Sequence, residues 1–269
     1  MRLEISYHTR YEYEPPIRDS TTALRIRPVT RPGLTVISSA VTANPGRIAA
    51  RYLDGWGTQV DVVDSPGLHD GIMFDLKATV ETHAPEFVQV LTSAERYWYG
   101  TDSARVRRSA VDSLGWQLVG PSWIAVESAL AWMPQRFVYE VGATDALTPV
   151  ERVIEIGAGV CQDFAHVLLA LLRSWGFCAR YVSGYFFSAS AETERIEADA
   201  MHAWVQVYRP GLGWVGLDAT TGAYTDDRYV PVGFGRDYDD VRPIRGVLHG
   251  SAQQRQEARL RIEQVQQQQ

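Results

Sequence analysis

Three residues in the second half of the chain have side chains suited to acyl transfer: a cysteine, a histidine and an aspartate. Cys161 follows a glycine-containing stretch, residues 157–160, and begins a predicted apolar helix. The first backbone N–H groups of a helix lack intrahelical partners, and the helix dipole adds partial positive charge there. Both effects favour the nucleophilic thiolate form. Cys161 is therefore the candidate nucleophile. The alternative, which its position alone would favour, is that Cys161 is a small buried apolar side chain at the start of a core helix.

His202 and Asp218 lie on two predicted strands that are joined by a turn near Gly211. Alternation along each strand puts the apolar residues on one face, so His202 and Asp218 project together from the other face. Counting outwards from the turn pairs His202 with Thr220 and leaves Asp218 diagonal to it, about 7–8 Å away. A carboxylate that orients an imidazole, which then takes a thiol proton, forms a catalytic triad. Without the cysteine, the pair would be interpreted more simply as a histidine in a strand whose imidazole is hydrogen-bonded by a neighbouring aspartate.

The same residue types do not form a metal-ligand pattern. His166, His202, Cys161 and Asp218 lack the Cys-x-x-Cys or His-x-x-x-His spacing of metal sites, and no Asp-x-Asp-x-Asp-Gly calcium loop occurs. Two cysteines in a chain of this length do not form a disulfide framework, and Cys178 is interpreted as a core residue. We therefore expect no metal site and no disulfide. No cofactor is implied, because cysteine acyl transfer needs none.

The elements that must position these residues are one buried helix and several strands. A helix is predicted from about Cys161 to Trp175, apolar nearly all round and therefore central. Helical spacing also covers residues 93–117 and 122–133, with Pro134 expected to end the second of these helices.

The rest of the chain is predicted to be mostly strands and loops. Alternation over residues 3–13 predicts a strand that Pro15-Pro16 ends, and short strands separated by glycine and proline continue to about residue 85. Residues 188–200 are interpreted as a loop, and residues 229–238 as a glycine-rich loop that covers the site. Alternation near Leu260 and beyond predicts a last strand.

Composition narrows the class of protein. The chain has 269 residues, 45% hydrophobic residues and a net charge of −6, which argues against nucleic acid or anionic membrane as the main partner. The longest apolar block, residues 167–172, is far shorter than the roughly 20 residues that a membrane helix needs. No apolar stretch of signal-peptide length is found near the N-terminus, so a cytoplasmic location is expected.

Three segments together resemble the bacterial transglutaminase-like superfamily of cysteine proteases. They are residues 159–166 (Gly-Val-Cys-Gln-Asp-Phe-Ala-His), 202–208 (His-Ala-Trp-Val-Gln-Val-Tyr) and 213–220 (Gly-Trp-Val-Gly-Leu-Asp-Ala-Thr). Residues 23–28 with 54–57 are similar to the β-rich N-terminal region of that family, and residues 235–241 with 245–246 to its C-terminal segment. The resemblance therefore covers nearly the whole chain.

The resemblance implies a fold and a division into parts. The fold would be α+β, with an N-terminal antiparallel β-sandwich followed by a papain-like or transglutaminase-like catalytic core of helices packed on an antiparallel sheet. The parts would be a β-rich N-terminal domain (1–88), a catalytic domain (89–250) and a C-terminal strand with a glutamine-rich tail (251–269). The family commonly has Asp-Pro-Thr-Asn where this chain has Asp218-Ala219-Thr220-Thr221, which predicts a differently shaped turn.

The resemblance assigns the catalytic roles to Cys161, His202 and Asp218. The backbone N–H of Cys161 is a natural oxyanion donor. Further candidates for an oxyanion or supporting role are Gln162, Asp163, His166 and Trp204, and Tyr238 is a candidate for lining the cleft.

The function expected from these features is cysteine-dependent acyl transfer on the amide bonds of a peptide or protein, most simply hydrolysis by a peptidase or amidase. If an amine replaced water as the acceptor, the protein would be a protein-glutamine transglutaminase. A hydrolase of glycan-linked amides and a non-catalytic peptide-binding module are the further alternatives. An intact set of Cys, His and Asp argues against the binding module, since an inactive copy need not keep all three.

Overall fold

Alternating burial along two very long strands organises the N-terminal part of the protein. A computed structural model describes residues 1–84, 90–116, 120–188, 194–197 (backbone) and 201–265. Leu3, Ile5 and Tyr7 of the first strand point into the core while their neighbours face outwards, the period of two expected of a half-buried strand. The strands are β1 (Arg2–Leu24), β2 (Leu34–Asn44), β3 (Arg47–Leu53), β4 (Gln59–Thr82), β5 (Val138–Tyr139), β6 (Ala158–Gly159), β7 (Ala179–Phe186), β8 (Glu194–Glu197), β9 (His202–Arg209), β10 (Gly213–Asp218), β11 (Ala223–Tyr224), β12 (Tyr229–Gly235), β13 (Ile244–His249) and β14 (Gln253–Gln264).

The described strands form a seven-stranded sheet, a five-stranded sheet and a two-stranded pair. The larger sheet runs β2-β4-β1-β14-β8, with β3 also paired to β4 and β13 to β1. Its described pairings are antiparallel, and hydrogen bonds join all seven strands into one sheet. The second sheet runs β11-β10-β9-β7-β12, also antiparallel. These sheets and the helices confirm the predicted α+β class, whereas the predicted domain boundaries stay predictions.

The helices lie in the middle of the chain. They are α1 (Ser93–Gly100), a 3₁₀ helix (Arg108–Leu114), α2 (Trp123–Arg136), α3 (Val150–Ile156), α4 (Cys161–Ser174) and α5 (Tyr238–Val241). Helix α4 is buried from Asp163 to Arg173, as its all-round apolar sequence predicts. It packs on β7 and β9 in a core with Tyr181, Val205 and Val207.

A second core lies inside the seven-stranded sheet and extends into the five-stranded one. Tyr185, Val230 and Val232 of the smaller sheet belong to it, together with Leu24 and Val63 of the larger. The two sheets therefore share buried apolar surface. No helix in the described part of the chain is both long enough and apolar enough to span a bilayer.

Several local predictions were wrong, each for a physical reason. Strand β1 continues past Pro15-Pro16 with a shift in its pairing to β4 between Glu12 and Ile17, an irregularity that leaves proline no ladder hydrogen bond to make. Helix α2 includes Pro134, which lies in the last turn and so disrupts little of the helix. The helix predicted over 93–117 ends at Gly100, since glycine is a poor helix former. The Asp102 carboxylate then accepts from the backbone N–H of Arg108 at 3.0 Å in the loop that follows.

Two predicted loops are in part strands. Within residues 188–200, residues 194–197 form β8 and pair with β14, while 189–193 and 198–200 lie outside the described residues. The loop predicted over 229–238 is strand β12 up to Gly235, paired with β7. The last predicted strand, near Leu260, is confirmed as β14.

Candidate active site

The candidate nucleophile begins α4 in the geometry that its glycine-containing approach favours. Cys161 is the first residue of the helix and is half-buried. The carboxylate of Asp163 accepts from the backbone N–H of Val160 at 2.8 Å and thereby caps the helix start. Gly159 permits this contact, since a Cβ at that position would lie 2.6 Å from an Asp163 carboxylate oxygen. Both cysteines, Cys161 and Cys178, are free thiols.

His202 begins strand β9 and Asp218 ends the neighbouring strand β10. The register pairs Leu217 with Val205, and its continuation sets His202 opposite Thr220, as the turn position predicts. His202 Nε2 lies 2.9 Å from Asp218 Oδ2. Asp218 is fully buried, and His202 is 9% exposed.

Charge and hydrogen bonding at His202 favour its protonated form. Burial lowers the pKa of His202, but the hydrogen bonds and charges of Asp218 and Cys161 outweigh burial and raise this pKa to about 10. The imidazole that contacts Asp218 is also hydrogen-bonded to the side chain of Cys161. The structure thus brings Cys161, His202 and Asp218 together in a chain of contacts.

Asp218 receives further hydrogen bonds that hold it ionised. The Tyr229 hydroxyl donates to its Oδ2 at 2.8 Å, and the backbone N–H of Thr220 donates to its Oδ1 at 2.9 Å. Burial alone would raise the pKa of Asp218, yet His202, Tyr229 and Thr220 together lower it. A carboxylate that stays ionised beside an imidazole stabilises the imidazolium.

Aromatic rings enclose the imidazole. The ring of Trp204 stacks near that of His202 at 28° and 6.2 Å between centroids, and Phe186 lies 5.5 Å away. Gly184 makes room for Trp204, because a Cβ there would lie 2.5 Å from the indole. The rings limit solvent access to His202 and restrict its orientation.

The remaining predicted residues have defined places in the structure. The Gln162 amide donates to the carbonyl of Ala146 at 3.4 Å, and its role as an oxyanion donor stays a prediction. His166 is buried inside the fold, and its Nε2 accepts from the backbone N–H of Tyr238 at 3.1 Å. Burial lowers the pKa of His166 to about 4 despite the opposing charge of Asp237, so His166 is neutral and joins α4 to α5. Tyr238 packs against the core around α4.

The sequence did not single out two residues that support the site. Tyr229 falls in the segment predicted to be a loop, although the alternation of Val230, Val232 and Phe234 would have predicted a strand there. Thr144 donates its hydroxyl to Asp163 at 2.6 Å, and no pattern in the sequence indicated this contact.

Among the residues that the structure describes, no group of three or more His, Cys, Asp or Glu side chains is placed to hold a metal ion.

The family to which the chain belongs follows from its sequence relatives. Residues 122–219 match the model of the transglutaminase-like superfamily, and residues 3–81 match that of the bacterial transglutaminase-like N-terminal region. An uncharacterized protein from Mycobacterium leprae is 30% identical over 264 residues, covering 93% of this chain and 94% of the relative. The chain therefore belongs to the bacterial transglutaminase-like superfamily.

Two further comparisons agree with this membership. An uncharacterized protein from Mycobacterium bovis is 42% identical over 123 residues, which cover 44% of this chain and 39% of that relative. The crystal structure of a putative cysteine protease from Cytophaga hutchinsonii superposes with a TM-score of 0.79 at 20% identity and covers 99% of this chain and 92% of that one. At this identity the likeness concerns the fold.

Proposed function

We propose that the protein hydrolyses amide bonds of a peptide or protein substrate as a peptidase or amidase. Cys161 would be the nucleophile, His202 the general base and acid, and Asp218 the orienting carboxylate. The observation that carries the proposal is the 2.9 Å contact between His202 Nε2 and the buried Asp218 carboxylate, made by an imidazole that also interacts with Cys161. Membership of a superfamily of cysteine-dependent acyl-transfer enzymes supports it.

The first half of the reaction forms an acyl-enzyme. The Cys161 thiolate attacks the amide carbonyl carbon, and the carbonyl electron pair moves onto oxygen. First-turn N–H groups of α4, including that of Cys161, stabilise the oxyanion. As the tetrahedral intermediate collapses, the C–N bond breaks and the His202 imidazolium gives its proton to the leaving amine. A thioester on Cys161 remains.

The second half releases the acid. Neutral His202 takes a proton from water while the water oxygen attacks the thioester carbonyl. Collapse of this second intermediate breaks the C–S bond, releases the carboxylic acid and restores the thiolate–imidazolium pair. Water is the proposed acyl acceptor because it is abundant. Transfer of the acyl group to an amine would require a site that excludes water. A cytoplasmic location remains part of the proposal.

The first experiment measures the alkylation rate of Cys161 by iodoacetamide as a function of pH, with peptide mapping by mass spectrometry. Cys178 serves as internal reference, because burial raises the pKa of that thiol. We expect fast labelling of Cys161 at neutral pH and a large loss of rate in His202→Ala.

A matched control exists in the N-terminal sheet. His8 Nδ1 lies 2.7 Å from Asp75 Oδ1 in a half-exposed pair, and His8→Ala should leave the alkylation rate of Cys161 unchanged. Equal labelling of Cys161 and Cys178, indifferent to His202→Ala, would contradict an activated thiolate and favour the binding-module alternative.

The reaction itself is tested with a library of peptide amides in the presence of excess primary amine, with products identified by mass spectrometry. We expect carboxylic acid products in the wild type and none in Cys161→Ala. Dominant amine adducts would instead assign the protein as a transglutaminase.

A further inference from the structure

A large cleft lies between the two sheets, on the face of β9 that carries Trp204 and Gln206. Its volume is about 950 Å³, and its walls come from β12, from β7 and from residues 29–33 of the N-terminal sheet region. Trp204 and Tyr229, which contact His202 and Asp218, form part of its wall. The cleft is therefore adjacent to the triad, and two side chains of its wall contact His202 and Asp218.

Two arginines line this cleft and contact the same aromatic ring. The guanidinium carbon of Arg31 lies 4.4 Å from the centre of the Phe234 ring, and that of Arg180 lies 3.9 Å from it. Arg180 also lies 4.0 Å from the ring centre of Trp214. Two like charges held against one ring repel each other.

Neither guanidinium has a carboxylate partner among the described residues. Arg31 donates to the carbonyls of Val29 and Val232. Arg180 donates through Nε and Nη2 to the amide oxygen of Gln206 and is also hydrogen-bonded to the Tyr99 hydroxyl. Burial lowers the pKa of each arginine to about 10. Buried cations are ordinarily paired with an anion, because desolvation makes an unpaired charge costly.

The carboxylates that line the cleft, those of Glu95, Asp226 and Asp227, have other partners, and that of Asp227 lies 3.8 Å from the N-terminal ammonium group. Glu95 accepts from the backbone N–H and hydroxyl of Thr92 and attracts Arg180 only at longer range. Asp226 forms an ion pair with Arg228 at 2.7 Å. By contrast, the buried carboxylate of Asp61 in the same N-terminal sheet meets two arginines directly.

We propose that the cleft binds a small organic anion, whose carboxylate or phosphate group pairs with Arg31 and Arg180 and whose body packs against the aromatic side chains of the cleft wall. The ligand supplies the negative charge that the two guanidinium groups lack, and planar guanidinium groups match both oxyanions bidentately. The proposal does not depend on the reaction of Cys161.

Isothermal titration calorimetry with the 269-residue chain tests the site, using phenyl phosphate, benzoate and neutral benzamide as probes at one ionic strength. We expect at least one of the two anions to bind and benzamide not to bind. The preferred anion distinguishes a phosphate ligand from a carboxylate ligand. Arg31→Gln and Arg180→Gln should each weaken binding about tenfold or more.

Arg209→Gln is the matched control, since Arg209 also stacks on an aromatic ring, that of Trp123 at 4.4 Å, but lies outside the cleft. Circular dichroism verifies that each variant is folded. A second readout is thermal unfolding in phosphate against sodium chloride of equal ionic strength, in which the wild type should gain stability and Arg31→Gln should not. Binding of neither anion, equal binding of benzamide, or binding unaffected by both cleft variants would overturn the proposal.

Discussion

At the scale of single residues, the protonation of His202 depends on its two partners. Asp218 and Cys161 raise the pKa of His202 to about 10 against the opposing effect of burial. Removing the thiol in Cys161→Ala should therefore lower this pKa, which NMR titration of the imidazole measures. His166, whose pKa burial lowers to about 4, should titrate as before.

This raised pKa also predicts a dependence of stability on pH. An unperturbed histidine has a pKa of about 6.5, so His202 binds its proton more tightly in the folded protein than in the unfolded one. Its contribution to stability is full below about pH 6.5 and is lost as pH rises through about 10. A His202 titration that is identical in wild type and Cys161→Ala would mean that the thiol and the imidazole do not interact.

Tyr229 is the residue whose influence on the triad is easiest to isolate. Its hydroxyl donates to the carboxylate oxygen of Asp218 that also contacts His202. Tyr229→Phe should lower the free energy of unfolding by about 1–2 kcal/mol and raise the pKa of Asp218. We also expect kcat/KM for amide hydrolysis to fall about tenfold, which corresponds to about 1.4 kcal/mol.

Urea unfolding and steady-state kinetics measure these effects. Tyr224→Phe is the control, since the Tyr224 hydroxyl also donates to a carboxylate, that of Glu127, but in an exposed position. Unchanged kinetics in Tyr229→Phe would show that Asp218 is oriented without the tyrosine.

At the scale of elements, the start of α4 positions the nucleophile. The Asp163 carboxylate holds the N–H of Val160 and the hydroxyl of Thr144, which ties the helix to the loop before α3. Asp163→Ala should destabilise the protein by about 1–2 kcal/mol through loss of the cap and should slow alkylation of Cys161.

Thr92→Ala provides the comparison, because Thr92 caps α1 and its loss should cost stability without slowing alkylation of Cys161. Peptide mapping measures the alkylation rate of Cys161 in each variant, and urea unfolding measures the free energy of unfolding of each variant. If Asp163→Ala lost stability but labelled at the wild-type rate, the cap would serve folding alone.

At the scale of the whole molecule, contacts between the two sheets predict that they unfold as one cooperative unit. The buried Tyr185 hydroxyl of β7 donates to the carbonyl of Ile26 at 2.7 Å, and Tyr185 belongs to the core of the larger sheet. Tyr185→Phe should lower the free energy of unfolding by about 1–2 kcal/mol. Tryptophan fluorescence and far-UV circular dichroism should still report a single transition. Two separate transitions in the wild type would mean that the sheets unfold independently.

The sequence by itself determined the features that depend on local geometry. The period of two along β9 and β10, with the turn near Gly211, sets His202 and Asp218 on one face. The glycine-containing approach and the apolar run after it place Cys161 at a helix start. These inferences succeed because side-chain direction in a strand or helix follows from position along the chain.

Only the tertiary structure decided the contacts between segments distant in sequence. The hydroxyl of Tyr229 reaches Asp218 because β12 pairs with β7, and Thr144 reaches Asp163 because the loop before α3 folds over the start of α4. Arg31 and Arg180, which are 149 positions apart in the sequence, likewise come together in the cleft because both contact the ring of Phe234. Local periodicity carries no information on such meetings, because they follow from how complete sheets and helices pack.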